Sequence, residues 1–301
     1  MEKQKHYLAA IGAFVLWGLF AIPLRTLQGY SSGEILYFRI LFSGIFLSVI
    51  MLGFKKASLR QDWKYFKSLQ KKQQKNVIWL TLLGGLLLTV NWLVFIHIVN
   101  NINVKTASFT YLMCPVITAV LGYVLLKEKL SKLQWVAVVL CGLSCGLIGL
   151  SSFTELGFSF ITAVSYALYL ISQRKNQGFD RLTMLTIQVF FSLAMLTLSF
   201  SFLVETTPVS LQFYGTISAI ALLFTILPLF LNLYALNKVN STTVGILLYI
   251  NPLMNFVLAF TLFDEHMDFI QLLGYSTIFV GLFLFNFKNI KKLQGKLVRA
   301  K

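Results

Sequence analysis

Acidic side chains are scarce in this chain: ten Asp and Glu stand against 26 Lys and Arg in 301 residues. None of the ten (Glu2, Glu34, Asp62, Glu128, Glu155, Asp180, Glu205, Asp264, Glu265, Asp268) is clearly in the middle of an apolar segment. A buried midplane carboxylate, the usual carrier of a coupling proton or sodium ion, therefore has no candidate. His97 and Glu34 are left as the plausible proton sites near a membrane. The three histidines, His6, His97 and His266, are far apart in sequence. Neither a zinc spacing nor a Walker motif occurs, which argues against metal or phosphate chemistry. No metal and no cofactor is expected. Cys114, Cys141 and Cys145 lie in apolar segments without a Cys-x-x-Cys pair, and read as small packing residues. Charged residues of both signs make up only 12% of the chain. That is about half the share of a soluble domain, and it excludes an aqueous fold for a chain that is 57% apolar.

What is abundant is long apolar sequence. Ten segments approach the roughly 20 residues that a helix needs to cross a bilayer. They run near 7–26, 33–53, 77–98, 106–126, 133–150, 156–172, 183–204, 212–236, 242–263 and 269–287. They are continuous in Leu, Ile, Val and Phe without period-2 alternation, so helices are expected rather than a barrel. The longest connection, 54–76, is too short to fold alone. The first segment follows Lys3 and Lys5 as a signal peptide would. Its length, Pro23, Arg25 and the lack of a small-x-small cleavage site mark it as a retained helix.

The net charge of +16 invites a nucleic-acid reading, but its distribution rejects one. With the N-terminus in the cytoplasm and ten helices alternating, 23 of the 26 Lys and Arg fall in cytoplasmic segments. Only Lys105 falls outside, and Arg25 and Arg39 fall within the membrane. This is a positive-inside pattern for a cytoplasmic membrane protein with both termini inside. Residues 55–76 carry eight of these cations around Leu59, Trp63, Phe66 and Gln70, with Ser58 and Gln61 spaced as a capping box. Two readings fit: an interfacial helix on the anionic inner leaflet, or a solvated basic loop.

A motif returns at one offset. Pro115, Glu128 and Gln134 are matched 137 residues later by Pro252, Glu265 and Gln271, and Asn100, Asn103 and Thr106 by Asn237, Asn240 and Thr243. Earlier helices match at an offset of 149: Trp17 with Tyr166, Arg25 with Arg174, Arg39 with Gln188. The long basic loop accounts for the difference. Five helices per half force the second half to enter the membrane upside down, an arrangement suited to alternating access. The expected fold is an all-α integral membrane protein of ten transmembrane helices in two inverted five-helix repeats, 1–150 and 151–301.

Several stretches carry a family resemblance. They are Trp17-Gly18 with Pro23, Glu34 with Arg39, Asn91-Trp92-Leu93-Val94-Phe95 with Val99-Asn100, and Ala107-Ser108 with Pro115, Glu128 and Gln134-Trp135. Pro228-Leu229, Tyr249-Ile250-Asn251-Pro252 and Glu265 follow in the second half. Through these the chain resembles the drug/metabolite transporter superfamily, with two EamA-type units, and more narrowly its RarD branch. The resemblance implies transport of a small organic molecule across the cytoplasmic membrane without naming it. Gln188 stands where the RarD-like pattern favours an acid, so acid-dependent coupling is not carried over.

Polar groups within hydrocarbon need a reason. Arg39 lies about six residues inside the second helix, roughly 9 Å along its axis. Either it holds an anionic group in a central cavity, or it pairs across helices or snorkels. Arg25, nearer a helix end, is expected to snorkel. Together the two cations, with few acids nearby, favour carboxylate-bearing substrates. Trp17, Asn91, Trp92, Gln188, Asn232 and Asn251 are further binding candidates, as are the aromatic hydroxyls of Tyr111, Tyr166, Tyr169 and Tyr249. Interhelical packing is the alternative for each. Pro115 and Pro252 are hinge or gate candidates, with Thr118 and Asn255 near the carbonyls they free; static kinks are the alternative. Glu128 and Glu265 read as structural. The expected function is a secondary carrier of small metabolites or drugs. The runner-up is an intramembrane enzyme acting on an amphipathic or lipid-linked substrate.

Overall fold

The computed structural model describes residues 2–176, 178–204, 207–236, 239 and 247–298, with side chains placed for residues 4–287 of these except 233 and 236. The described residues form helices and no strand. In chain order these are α1 (Glu2–Gly18), α2 (Ala21–Arg25), α3 (Ser32–Phe54), α4 (Lys56–Ser68), α5 (Lys71–His97), α6 (Val104–Leu126) and α7 (Lys132–Ser151). Then come α8 (Phe153–Lys175), α9 (Arg181–Leu198), α10 (Phe200–Leu203), α11 (Leu211–Ala219), α12 (Leu227–Leu236), α13 (Ile250–Thr261) and α14 (Phe269–Val298). Two π-helical stretches, Ile98–Ile102 and Ile220–Ile226, follow α5 and α11 without a break. Among the described residues nine helices are long and apolar enough to cross a membrane, and α13 is a shorter apolar helix. The expected segment 242–263 lies partly outside the described residues, as do Asn237, Asn240 and Thr243.

The breaks follow from local chemistry. Ser31 and Glu34 form a capping box that starts α3; Ser131 and Gln134 form another that starts α7. Asn103, Ser152 and Asp180 cap α6, α8 and α9 through their side chains. Each such cap is worth about 1 kcal/mol. The expected box at Ser58 and Gln61 does not form: α4 begins at Lys56, ahead of Ser58, without a side-chain cap. Gln70 is not part of that helix either. It caps α5, in a box with Gln73.

The Pro–Glu–Gln motif folds the same way twice. Lys127 and Asp264, 137 residues apart, are the two non-glycine residues with positive φ among those described, at 55° and 49°. Each closes its helix with a left-handed turn. The next amide then reaches back six residues, Glu128 N to Gly122 O and Glu265 N to Ala259 O. Four residues past each turn, Ser131 or Asp268 caps the following helix by accepting from the amide of Gln134 or Gln271.

Loop contacts sort the chain into two ends. Lys55 pairs with Asp180, and Arg174 with Glu128, at the end that also carries α4. At the opposite end Gln28 bonds Asn100, Ser31 bonds Leu203, Asn103 bonds Glu155, and Ser151 bonds Asp268. Successive long helices thus run in alternate directions. α3, α5 and α9 pack together, α6 packs on α8 and α13, α1 on α12, and α7 on α14. The largest apolar cluster runs from Phe20 and Leu24 through α3 and α5 to Ile217 and Ile220. A second joins Phe109 and Leu112 to Tyr275 and Ile278.

Candidate functional site

Between the helix pairs lies a cavity of about 130 Å³. Its walls are Trp17 and Phe20 from the first span, Arg39 from α3, Leu88, Trp92 and Phe95 from α5, and Tyr111 from α6. Tyr166 and Tyr169 from α8, Leu185 from α9, and Phe224, Thr225 and Leu229 from the π stretch and α12 continue them. Leu248, Tyr249, Asn251 and Pro252 complete them at the start of α13. Eight of the eleven binding candidates meet here: Trp17, Arg39, Trp92, Tyr111, Tyr166, Tyr169, Tyr249 and Asn251.

Arg39 is 4% exposed. Its Nε donates to Thr225 Oγ1 at 3.1 Å, and its guanidinium carbon lies 4.7 Å from the Phe20 ring centre and 5.0 Å from that of Trp92. Nη1 has no hydrogen-bond partner, and no carboxylate among the described residues forms an ion pair with this guanidinium. An arginine at membrane depth costs roughly 2.5–3.5 kcal/mol. Two rings and one hydroxyl stabilise the guanidinium there, but none of them neutralises its charge. The rings themselves form a continuous wall: Phe224 on Phe20, Phe20 on Phe95, Phe95 on Tyr111, Tyr111 on Tyr166, Tyr166 on Tyr169, with centres 5.2 to 6.0 Å apart.

Prolines place this wall. Four of the five in the chain, Pro23, Pro115, Pro228 and Pro252, lie in the apolar segments. Each lacks an amide hydrogen, and within a helix the ring also pushes away the carbonyl four residues earlier. Residues three or four positions ahead of each line the cavity: Phe20, Tyr111, Phe224 with Thr225, and Leu248 with Tyr249. At Pro23 the first span breaks between α1 and α2, and Phe20 sits in the break. Ahead of Pro228 the helix re-registers into the π stretch, where the Thr225 hydroxyl bonds Ile220 O and accepts from Arg39. Such widened turns recur at functional sites. Phe20, Phe224 and Thr225 were not among the candidates; a proline three or four residues downstream is the signal that finds them.

Three binding candidates stand elsewhere. Asn91 is fully buried and donates to the Thr162 carbonyl at 2.9 Å, joining α5 to α8. Gln188 is fully buried against Gly84, where any side chain on α5 would come within 2.6 Å of its amide. Asn232 lies in α12 away from the cavity walls. Pro115 lies inside the unbroken α6, and Thr118 bonds Cys114 O rather than the Tyr111 carbonyl that Pro115 frees. Pro252 is in the first turn of α13, where no amide is needed, and its carbonyl accepts from Ser108. Asn255 donates to the Asn251 side chain.

Arg25 does not snorkel. It bonds Glu265 at 2.9 Å, so the expectation of two uncompensated cations narrows to Arg39. Glu265 also accepts from the amides of Val104 and Lys105, at 2.6 and 2.9 Å, at the start of α6. Lys105 reaches Gln271 and the His266 carbonyl. Glu128 meets Arg174 at 2.9 Å, with both side chains about half exposed. Glu34 is held in the α3 capping box, and His97 lies 3.3 Å from Asn101 beside the π stretch.

The EamA-like transporter family model matches the chain twice, over residues 4–150 and 154–287. An uncharacterized transporter of Vibrio cholerae is 29% identical over 296 residues, covering 96% of this chain and 94% of its own. The uncharacterized transporter YojE of Bacillus subtilis is 28% identical over 295 residues, 96% of each chain. Protein RarD of Escherichia coli is 28% identical over 295 residues, 94% of each. A protein crystal structure with 15% identity superposes with a TM-score of 0.59 over 93% of this chain and 96% of its own, a likeness of fold. The chain is a multi-pass membrane protein that belongs to the EamA-like transporter family, as a RarD-like member of the drug/metabolite transporter superfamily.

Proposed function

We propose that this chain is a secondary carrier that moves a small organic solute across the cytoplasmic membrane by alternating access. The halves are 1–150 and 151–301, two inverted five-helix repeats. The observation that carries the reading is a crossed pair of ion pairs. Arg25 and Arg174 are equivalent at the 149 offset, and Glu265 and Glu128 at the 137 offset. Each arginine binds the glutamate of the other half, at opposite ends of the bundle. A twofold-related pair of latches is what an inverted repeat needs to open one side while closing the other.

The two latches differ. The Arg25 and Glu265 side chains are 20% and 10% exposed, whereas Arg174 and Glu128 are 49% and 46% exposed. This asymmetry fits a state closed at the Glu265 end and looser at the Glu128 end. The positive-inside pattern assigns the looser end to the cytoplasm. There α4 presents an exposed Trp63 stacked by Lys67, which supports contact with the anionic inner leaflet. The transport names of the family and its relatives support a non-enzymatic role.

The test is saturable flux in proteoliposomes of labelled amino acids, nucleosides and aromatic acids, with the solute recovered unchanged. In a cysteine-free background, Asn251→Cys then reports access to an impermeant thiol reagent. Arg25→Gln should raise labelling from outside, and Arg174→Gln from inside. Both variants shifting labelling the same way, or product formation in place of flux, sinks the reading.

A further inference from the structure

We infer that the solute is a monoanion, with one carboxylate on the Arg39 guanidinium and a flat apolar body against the ring wall; this rests on the carrier reading of the same cavity. Phe20 and Trp92 lie against the guanidinium at 4.7 and 5.0 Å. The rings meet the guanidinium through their π faces and accept no N–H hydrogen bond in its plane, so recognition of a solute falls to the N–H edge. Thr225 uses Nε, while Nη1 has no partner. A planar fork of donors is matched by the two oxygens of a carboxylate. A neutral carbonyl would fill the hydrogen bond and leave the buried charge uncompensated.

The lining sets the charge count. Among the described residues Arg39 is the one cation in the walls, and no Asp or Glu is among them. A dianion would bring a second charge with nothing to meet it. An α-amino acid would bring an ammonium into walls with no carboxylate. Burying an unpaired charge is costly, so simple carboxylic acids are favoured over the matching amino acids. Trp92, Phe95, Tyr111 and Tyr166 offer ring surface for an aromatic or similarly flat body.

The experiment is equilibrium binding to the purified full chain in lipid nanodiscs at neutral pH, read by tryptophan fluorescence, since Trp17 and Trp92 line the cavity. The probes are 3-phenylpropionate, its amide and phenylalanine, with benzoate and phenylacetate widening the acid panel. The acid should bind at least ten-fold more tightly than the amide and the amino acid. Arg39→Gln should cost the acid at least ten-fold and the amide much less, so that the two bind alike, while Arg39→Lys recovers part of the difference. Equal binding of acid and amide to the wild type overturns the inference without recourse to a variant. Equal losses for both in Arg39→Gln, or no binding by any acid of the panel, overturns it too. Intact acid preference with no flux would remove the carrier reading and leave the anion site standing.

Discussion

Replacing Glu265 with glutamine should destabilise this protein much more than the same change at Glu128. The Glu265 carboxylate takes three hydrogen bonds, from Arg25 at 2.9 Å and from the amides of Val104 and Lys105 at 2.6 and 2.9 Å. The two amides open α6, where the helix dipole also favours a negative charge by up to about 1 kcal/mol. Hydrogen bonds to charged groups contribute roughly 1.5–3 kcal/mol each. Glutamine keeps the shape and one acceptor oxygen. It loses the charge and leaves a donor unmet at a side chain that is only 10% exposed. A loss of about 2–3 kcal/mol follows. The Glu128–Arg174 pair is about half exposed on both sides and takes no backbone amide, so solvent screening holds its worth to about 0–1 kcal/mol. The assay is unfolding in mixed micelles with rising SDS, comparing Glu265→Gln and Glu128→Gln with the wild type. The loss at Glu265 should exceed the loss at Glu128 by more than about 1 kcal/mol. Equal losses, or the larger loss at Glu128, would refute the reasoning.

Three further outcomes are expected. Gly33→Ala should cost roughly 1–3 kcal/mol, because a β-carbon there would sit 2.5 Å from the Leu203 carbonyl, which is backbone and cannot yield; thermal unfolding reads it, and an unchanged midpoint counts against the close approach. The hydrogen bond from Ser151 holds the Asp268 carboxyl below its usual range. The stability this lends is present above the unfolded carboxylate value and is lost as pH falls through the lowered folded one, so Ser151→Ala should be destabilising near neutral pH and silent in strong acid; a gap that widens in acid refutes the sign. Asp62→Ala should speed trypsin cleavage within 55–75, since both Asp62 oxygens accept the Asp180 amide and hold α4 to the start of α9. Unchanged cleavage there would mean that other contacts anchor α4.

The helices themselves were legible in the sequence because each apolar run satisfies its own backbone in lipid. Sequence spacing was also enough to reveal the duplicated Pro–Glu–Gln motif, while the left-handed turns at Lys127 and Asp264 that it encodes came from the structure. Ser58 and Gln61 misled because Lys56 and Ala57 open a helix as well as they precede one. Arg25 was misread because its partner Glu265 is 240 residues away, and no local pattern carries that distance.

The sequence by itself determined a bilayer-bound all-helical chain, its charge asymmetry, its internal repeat and the polar and aromatic residues worth watching. All of these are properties of single segments, or of one segment compared with another. Only the tertiary structure decided which of those residues share a space. It brought Arg39, Trp92, Tyr111, Tyr166 and Asn251 to one cavity and turned Asn91 to a neighbouring backbone carbonyl. The physical reason is rotation about the helix axis. Lipid and cavity both accept apolar surface, so hydrophobicity does not set which face of a membrane helix points inward. Packing sets it, helped by the break ahead of Pro23 and the π stretch ahead of Pro228, which put Phe20 and Thr225 against Arg39.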